Sequence, residues 1–217
     1  MAEFTLHCFA QSGNAYKAAL MLNLCGADWQ PEFVDFFKGG VRTPEFRAIN
    51  EMGEVPVLVH GDRRLSQTGV ILDYLAETFG KFGWTDGDER REIMRWILWD
   101  NHKLTGYTAT YRYLKHLVPQ IGAPAADPAV VEFLKGRVMA AYKVLDAHMA
   151  GRGFAVLDRP TIADVSMCGY LFWPDEIGVD WQADFPHIHA WLARIEALPG
   201  WVHPYELLPG HPLPAKA

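Results

Sequence analysis

The chain has 217 residues, half of them hydrophobic and 21% charged, which is typical of a globular protein of one or two domains and excludes a disordered chain. The net charge of −6, with no run of more than two basic residues, argues against nucleic acid or an anionic membrane surface as a partner, because both attract clustered Lys and Arg. No apolar stretch is long enough to span a bilayer, and the N-terminal residues lack the pattern of a secretion signal. Three widely spaced cysteines favour a reducing compartment, so we expect a cytoplasmic protein.

The first 79 residues alternate between strand and helix patterns. Gly26 marks the end of a first helix, Pro44 suits the first turn of a second, and Gly61-Asp62 is typical of a two-residue hairpin turn. The order βαβαββα indicates an α/β domain over residues 1–80. Its predicted strands are 4–9, 32–36, 57–60 and 63–66, and its predicted helices are 15–24, 43–49 and 68–79.

The rest of the chain has a different character. A glycine-rich segment without periodicity, 81–88, is predicted to be a linker. Helical patterns follow, with Gly106 as a candidate break in the first of them and no strand pattern between them. We therefore expect an all-α domain over residues 89–217, whose proline-rich tail from residue 208 is loosely ordered. The predicted helices are 88–117, 128–149, 161–172 and 185–197.

One short segment indicates a binding site. Pro56 is expected at the start of a strand because proline cannot donate to a sheet, and a cis bond there would turn the backbone N–H and C=O of Val55 outward. Gln67 and Thr68 open the next helix, whose N-terminus favours an anion. A free backbone edge beside a hydroxyl-bearing helix N-terminus suits a small peptide that carries a carboxylate.

These residues resemble the glutathione-binding half of glutathione S-transferases, whose motifs read x-V-P-x-L and [E/Q/D]-[S/T]-x-x-I-x-x-Y-L. Residues 44–50, 159–164 and 185–191 are similar to further motifs of the family. The resemblance implies a thioredoxin-like N-terminal domain, an all-helical C-terminal domain and a homodimer, with glutathione as co-substrate. It also implies that the main chain of Val55, next to Pro56, pairs with the cysteinyl portion of glutathione, and that Gln67 and Thr68 hold its γ-glutamyl group.

The loop between the first strand and the first helix carries the candidate catalytic residues. A hydroxyl that donates to the sulfur of a thiol, at a helix N-terminus, favours the thiolate. Ser12 is the natural donor, and the amide of Asn14 is the alternative. The alternative is that Ser12 or Asn14 serves only as a helix N-cap. The resemblance implies a bacterial-type, serine-class-like member in which this loop defines the chemistry.

Glu54 departs from the family pattern, in which Gln or Lys is common near the glycyl carboxylate of glutathione. A second negative charge there is expected to weaken binding unless Arg42 or Lys38 compensates for it. We include Glu54 and Arg42 in the predicted glutathione site.

Aromatic residues are crowded along the first helix of the second domain. Most are expected in the core, and three are candidates for an apolar second-substrate pocket: Trp99, Tyr107 and Tyr111. Asp100 is hypothesised to reach the ammonium of the ligand across a dimer. Thr161 and Asp164 form a predicted capping box with a structural role.

The leading functional hypothesis is a glutathione transferase that conjugates the thiolate to an apolar electrophile, without a metal. One alternative is a non-catalytic binding or scaffold protein with the same fold. Another is a glutathione-dependent reductase or isomerase, which a cysteine near Ser12 would favour. Cys8 does not meet that condition, because its strand pattern predicts a buried apolar position.

Overall fold

The computed structural model describes residues 2–213, which form two compact units. The first unit runs to Gly83 and also contains a segment that begins at Leu198. The second unit runs from Trp84 to Ala197. Across residues 2–213, none of the helices combines the length and the apolar character that crossing a membrane requires.

The first unit contains a four-stranded sheet in the order β2-β1-β3-β4. β1 pairs with β2 in parallel and with β3 antiparallel, and β3 pairs with β4 antiparallel. This mixed sheet and its helices confirm the predicted βαβαββα order of a thioredoxin-like domain. The elements are β1 (Phe4–Cys8), α1 (Gly13–Cys25), β2 (Trp29–Phe33), α2 (Pro44–Ile49), β3 (Val57–His60), β4 (Arg63–Ser66) and α3 (Thr68–Phe79).

Local signals set the ends of these elements. The Ser12 hydroxyl oxygen accepts from the amide of Ala15 and caps α1, which ends at Gly26 with a φ of 73°. Thr43 caps α2 in the same way, just before Pro44. A residue with a side chain is disfavoured at positive φ, so Gly26 is a natural stop signal.

β1 carries helices on both faces of the sheet. Phe4 is fully buried, and its ring lies 5.7 Å from that of Phe79 in α3. The ring of His7 lies 6.1 Å from that of Phe46 in α2. Residues of opposite parity in a strand point to opposite faces, so α3 and α2 cover the two sides of the sheet.

The second strand lies three residues before its predicted position. The apolar pattern at 32–36 comes from Val34 and Phe36. These two residues follow the end of β2, and their side chains pack in a cluster with Val41, Phe46 and Val57. β2 is instead defined by its parallel pairing with β1, from Phe4 opposite Trp29 onward. It is an edge strand, which is where a proline such as Pro31 is tolerated.

The second unit is helical, and no strand occurs in its described residues. Its elements are α4 (Gly87–Trp99), α5 (Thr105–Arg112), α6 (Val118–Gln120), α7 (Pro128–Met149), α8 (Ile162–Cys168), α9 (Pro174–Ile177), α10 (Trp181–Asp184) and α11 (Pro186–Glu196). Two π-helical segments, Asp100–Leu104 and Tyr113–Leu117, join α4, α5 and α6. The candidate break at Gly106 is therefore wrong, since the helical path continues through it.

The predicted capping box at α8 is confirmed. The Thr161 side chain accepts from the amide of Ala163, and Asp164 accepts from the amide of Thr161. Asp164 is almost fully buried, and it also accepts from the amide of Ala155 and from the indole N–H of Trp191. One carboxylate thus joins the start of α8, the preceding loop and α11.

The C-terminal part of the chain differs from the sequence expectation, in which residues 89–217 formed one helical domain. The segment from Leu198, which includes α12 (Pro204–Leu207), belongs to the first unit. The Tyr16 hydroxyl donates to the carbonyl of Val202 at 2.9 Å, and the Asn23 amide donates to that of Gly200. The tail prediction for residues 214–217 lies outside the described residues.

Candidate functional site

The sheet register brings three loops of the first unit to one edge. His7, near the end of β1, lies opposite Val57 at the start of β3. Val57 in turn lies opposite Ser66 at the end of β4. The loop after β1, the residues before β3 and the start of α3 therefore follow from the same edge of the sheet. The predicted residues Ser12, Val55 and Gln67 all belong to these segments.

Val55 presents free backbone groups at this edge. Its peptide bond to Pro56 is cis, as predicted, and its side chain packs against the cluster of Val34, Val41, Phe46 and Val57. Within residues 2–213, neither the amide nor the carbonyl of Val55 has a hydrogen-bond partner. An anchored side chain with open backbone groups is what pairing with an extended peptide requires.

The N-terminus of α3 has no side-chain cap. The amides of Val70 and Ile71 both donate to the carbonyl of Gln67, so the amides of Thr68 and Gly69 are left without an intrahelical acceptor. Gln67 has a φ of 65°, an uncommon value for a residue with a side chain. Strained backbone of this kind is concentrated at ligand-binding positions.

Ser12 is buried and acts as the N-cap of α1, with its oxygen 3.1 Å from the amide of Ala15. A serine hydroxyl carries one proton and two acceptor lone pairs, so capping leaves its proton available for donation. The capping role therefore does not compete with the predicted catalytic one. The alternative residue, Asn14, has a buried Oδ1 that lacks a hydrogen-bond partner within residues 2–213.

The loop that carries Ser12 is held by the C-terminal segment. The amide of Ala10 donates to the carbonyl of Pro209 at 2.8 Å. The side chain of Gln11 donates to the carbonyl of Gly210 at 2.9 Å. Sequence reasoning missed both contacts, because the partners are 199 residues apart in the second case and are backbone groups in both.

Neither predicted base compensates the charge of Glu54. Lys38 pairs with Asp35 at 3.3 Å, and Arg42 is exposed and makes no ion pair within the described residues. The Glu54 carboxylate instead accepts from the side-chain amide of Gln67 at 3.3 Å. Within the described residues neither Lys38 nor Arg42 pairs with Glu54, whose carboxylate lies at the start of α3.

The aromatic candidates of the second unit have different surroundings. Trp99 lies edge-on to Trp96, and the Tyr107 hydroxyl accepts from Arg137 at 2.9 Å. Tyr111 is buried, and this burial raises the pKa of its hydroxyl. The second-substrate pocket stays a prediction.

The hypothesis for Asp100 is wrong within this chain. Asp100 is fully buried and accepts from the hydroxyls of Thr105 at 2.7 Å and Ser166 at 2.6 Å. Its carboxylate is thus directed into the helical unit, where it links the first π-helical segment to α8. A buried carboxylate with two hydroxyl donors serves the packing of helices.

Cys8 and Cys25 do not supply a reactive thiolate. Burial raises the pKa of Cys8 to about 12 and that of Cys25 to about 11, so both thiols stay protonated at neutral pH. Within residues 2–213, no group of three or more His, Cys, Asp or Glu side chains is arranged to hold a metal ion.

The chain matches two family models, the glutathione S-transferase N-terminal domain over residues 2–77 and the glutathione S-transferase C-terminal domain over residues 109–199. Glutathione S-transferase 1 of Dianthus caryophyllus is 43% identical over 189 residues, which cover 85% of this chain and 83% of that protein. Maleylacetoacetate isomerase of Rhizobium meliloti is 30% identical over 78% of this chain and 81% of its own length. A glutathione S-transferase structure from Xanthobacter autotrophicus is 31% identical, with a TM-score of 0.83 and coverage of 92% of this chain and 95% of that one. The chain therefore belongs to the glutathione S-transferase family.

Proposed function

We propose that this protein is a glutathione transferase in which Ser12 stabilises the thiolate of bound glutathione. The observation that carries the proposal is the pairing of open backbone groups at Val55 with the uncapped N-terminus of α3, at the sheet edge that also leads to the Ser12 loop. Family membership supports glutathione as the ligand.

In this proposal glutathione lies along the sheet edge as an extended peptide. The carboxylate of its γ-glutamyl group accepts from the amides of Thr68 and Gly69 and from the hydroxyl of Thr68, aided by the positive end of the α3 dipole. The amide and carbonyl of its cysteinyl residue pair with the backbone of Val55. The buried Pro56 fixes Val55 at the start of β3.

Ser12 then acts on the sulfur. Its oxygen is occupied by the amide of Ala15, so its proton is directed to another acceptor. Donation of that proton stabilises the thiolate relative to the thiol, and each unit by which the pKa falls corresponds to about 1.4 kcal/mol. The thiolate attacks the electrophilic atom of the second substrate, and the leaving group departs with the electron pair of the broken bond.

The second substrate is proposed to be an apolar electrophile in contact with Trp99, Tyr107 and Tyr111. We also propose that the protein is a homodimer, in line with the prevalence of two-fold symmetry among soluble oligomers. A cytoplasmic location belongs to the same proposal, since a free thiol substrate requires a reducing compartment.

The test is calorimetric titration with glutathione together with the ultraviolet absorbance of the bound thiolate as a function of pH. We expect Ser12→Ala to retain binding and to raise the pKa of the bound thiol by roughly one to two units, with a matching loss of conjugation rate at neutral pH. Asn14→Ala is the comparison variant, because it tests the other candidate donor in the same loop. An unchanged thiol pKa in Ser12→Ala, with a raised one in Asn14→Ala, would transfer the role to Asn14.

A glutathione-dependent isomerase is the second candidate, favoured by the maleylacetoacetate isomerase relative. The same thiolate could add to a conjugated double bond, allow rotation about the resulting single bond, and leave again, so that glutathione is regenerated. An assay of cis–trans isomerisation at catalytic amounts of glutathione separates the two activities. A protein that binds glutathione and catalyses neither reaction would be a binding or scaffold member.

A further inference from the structure

We infer that Glu54 binds the ammonium of the γ-glutamyl group and thereby selects ligands with a free α-amino group at that end. The inference rests on the proposed glutathione site. It reverses the effect expected from the sequence, in which Glu54 weakens binding by facing the glycyl carboxylate.

The direction of the Glu54 side chain carries the argument. Its Oε2 lies 3.3 Å from Nε2 of Gln67, the residue that immediately precedes α3. The same Nε2 lies 3.2 Å from the sulfur of Met52. Both neighbours are acceptors, so the amide nitrogen of Gln67 is the atom that faces them, and the network fixes the amide orientation.

The main chain of Glu54 is held as well. The side chain of Asn50, a buried residue, donates to the carbonyl of Glu54 at 2.9 Å. One residue further on, Val55 is anchored in its apolar cluster. Glu54 is thus held at its main-chain carbonyl by Asn50 and at its carboxylate by Gln67.

The remaining acceptor capacity suits an ammonium. An ionised carboxylate offers about four acceptor positions, and Gln67 uses one of them. An α-amino acid group whose carboxylate lies on the amides of Thr68 and Gly69 has its ammonium on the adjacent carbon. That ammonium would meet the carboxylate of Glu54 and the side-chain oxygen of Gln67, both of which are acceptors.

Charge explains why the arrangement favours binding. The zwitterionic end of the ligand would place its negative group on the helix N-terminus and its positive group on Glu54, so each charge meets its opposite. Glu54 and Gln67 are both exposed, and solvent therefore reduces the gain. We expect removal of the Glu54 charge to weaken glutathione binding by roughly twofold to fivefold, and less at high salt.

The experiment uses three ligands in calorimetric titration: glutathione, glutaryl-cysteinylglycine, which lacks the ammonium, and glutathione glycinamide, which lacks the glycyl charge. Wild type should bind glutathione more tightly than the glutaryl compound, and Glu54→Gln should lose this preference. The preference between glutathione and its glycinamide should be the same in both proteins. Glu51→Gln, which removes the same charge from an exposed position in the same loop, is the matched control and should behave as wild type.

Two results would overturn the inference while leaving the proposed function intact. One is tighter binding of glutathione by Glu54→Gln than by wild type. The other is an effect of Glu54→Gln that persists with the glutaryl compound and disappears with the glycinamide, which would return Glu54 to the glycyl end. Absence of glutathione binding by wild type at millimolar concentration would reject the proposed function and this inference together.

Discussion

Replacing Asp164 by alanine tests how the second unit is held together. Its carboxylate accepts from three buried N–H groups, which belong to Ala155 at 2.8 Å, Thr161 at 2.9 Å and the Trp191 indole at 2.9 Å. Each buried donor that loses its partner costs about 1–3 kcal/mol, and entering water recovers part of this. We expect a loss of roughly 3–6 kcal/mol in the free energy of unfolding, a large share of the total for a typical protein.

Equilibrium unfolding in urea at one fixed protein concentration measures this loss. Asp127→Ala is the control, because Asp127 caps α7 from an exposed position and accepts from the single amide of Ala129. It should cost about 1 kcal/mol. Asp164→Asn covers the case in which the alanine variant does not fold. Its loss in the free energy of unfolding should lie between those of Asp164→Ala and Asp127→Ala, because an amide oxygen still accepts hydrogen bonds. A loss for Asp164→Ala no larger than that of Asp127→Ala would refute the reasoning.

Two further predictions concern the same unit. Burial lowers the pKa of His148, whose ring lies 4.0 Å from that of Trp96, below its ordinary value. The unfolded chain then takes up the proton first, so stability should fall as the pH drops from about 7 to 5, and His148→Gln should flatten that slope in urea titrations. Glu176 pairs with the buried guanidinium of Arg112 at 2.6 Å, so Glu176→Ala should cost about 3–5 kcal/mol by leaving that charge buried. Recovery of most of this loss on adding Arg112→Met would support the mechanism, and no recovery would contradict it.

Some helix ends could be predicted because a local rule decides them. The helices at 68–79 and 128–149 were predicted to the residue, since Gly80 at a φ of 60° ends the first and Asp127-Pro128 begins the second. Such signals act through the backbone of one or two residues, so they are independent of the rest of the fold.

Features that depend on distant partners could not be predicted in this way. The position of β2 is set by its pairing with β1 and not by its own apolar residues. Asp100 was placed at a ligand by analogy with relatives, and its buried partner Ser166, 66 residues away in sequence, could not be foreseen. The motif around Val55 and Gln67 could be found because its spacing is local, whereas the direction of the Glu54 side chain could not.

The contacts of the C-terminal segment impose an order on the assembly of the first unit. During synthesis the sheet and helices of residues 4–79 are available early, yet the amide of Ala10 and the side chain of Gln11 bond to Pro209 and Gly210. More than a hundred residues separate the end of the sheet from these partners. The chain grows at about 5–20 residues per second and its domains fold from the N-terminus, so the partners are made well after the sheet. The Ser12 loop therefore receives its last support only after residue 210 has been made, which links the maturation of the proposed active site to the synthesis of the entire helical unit.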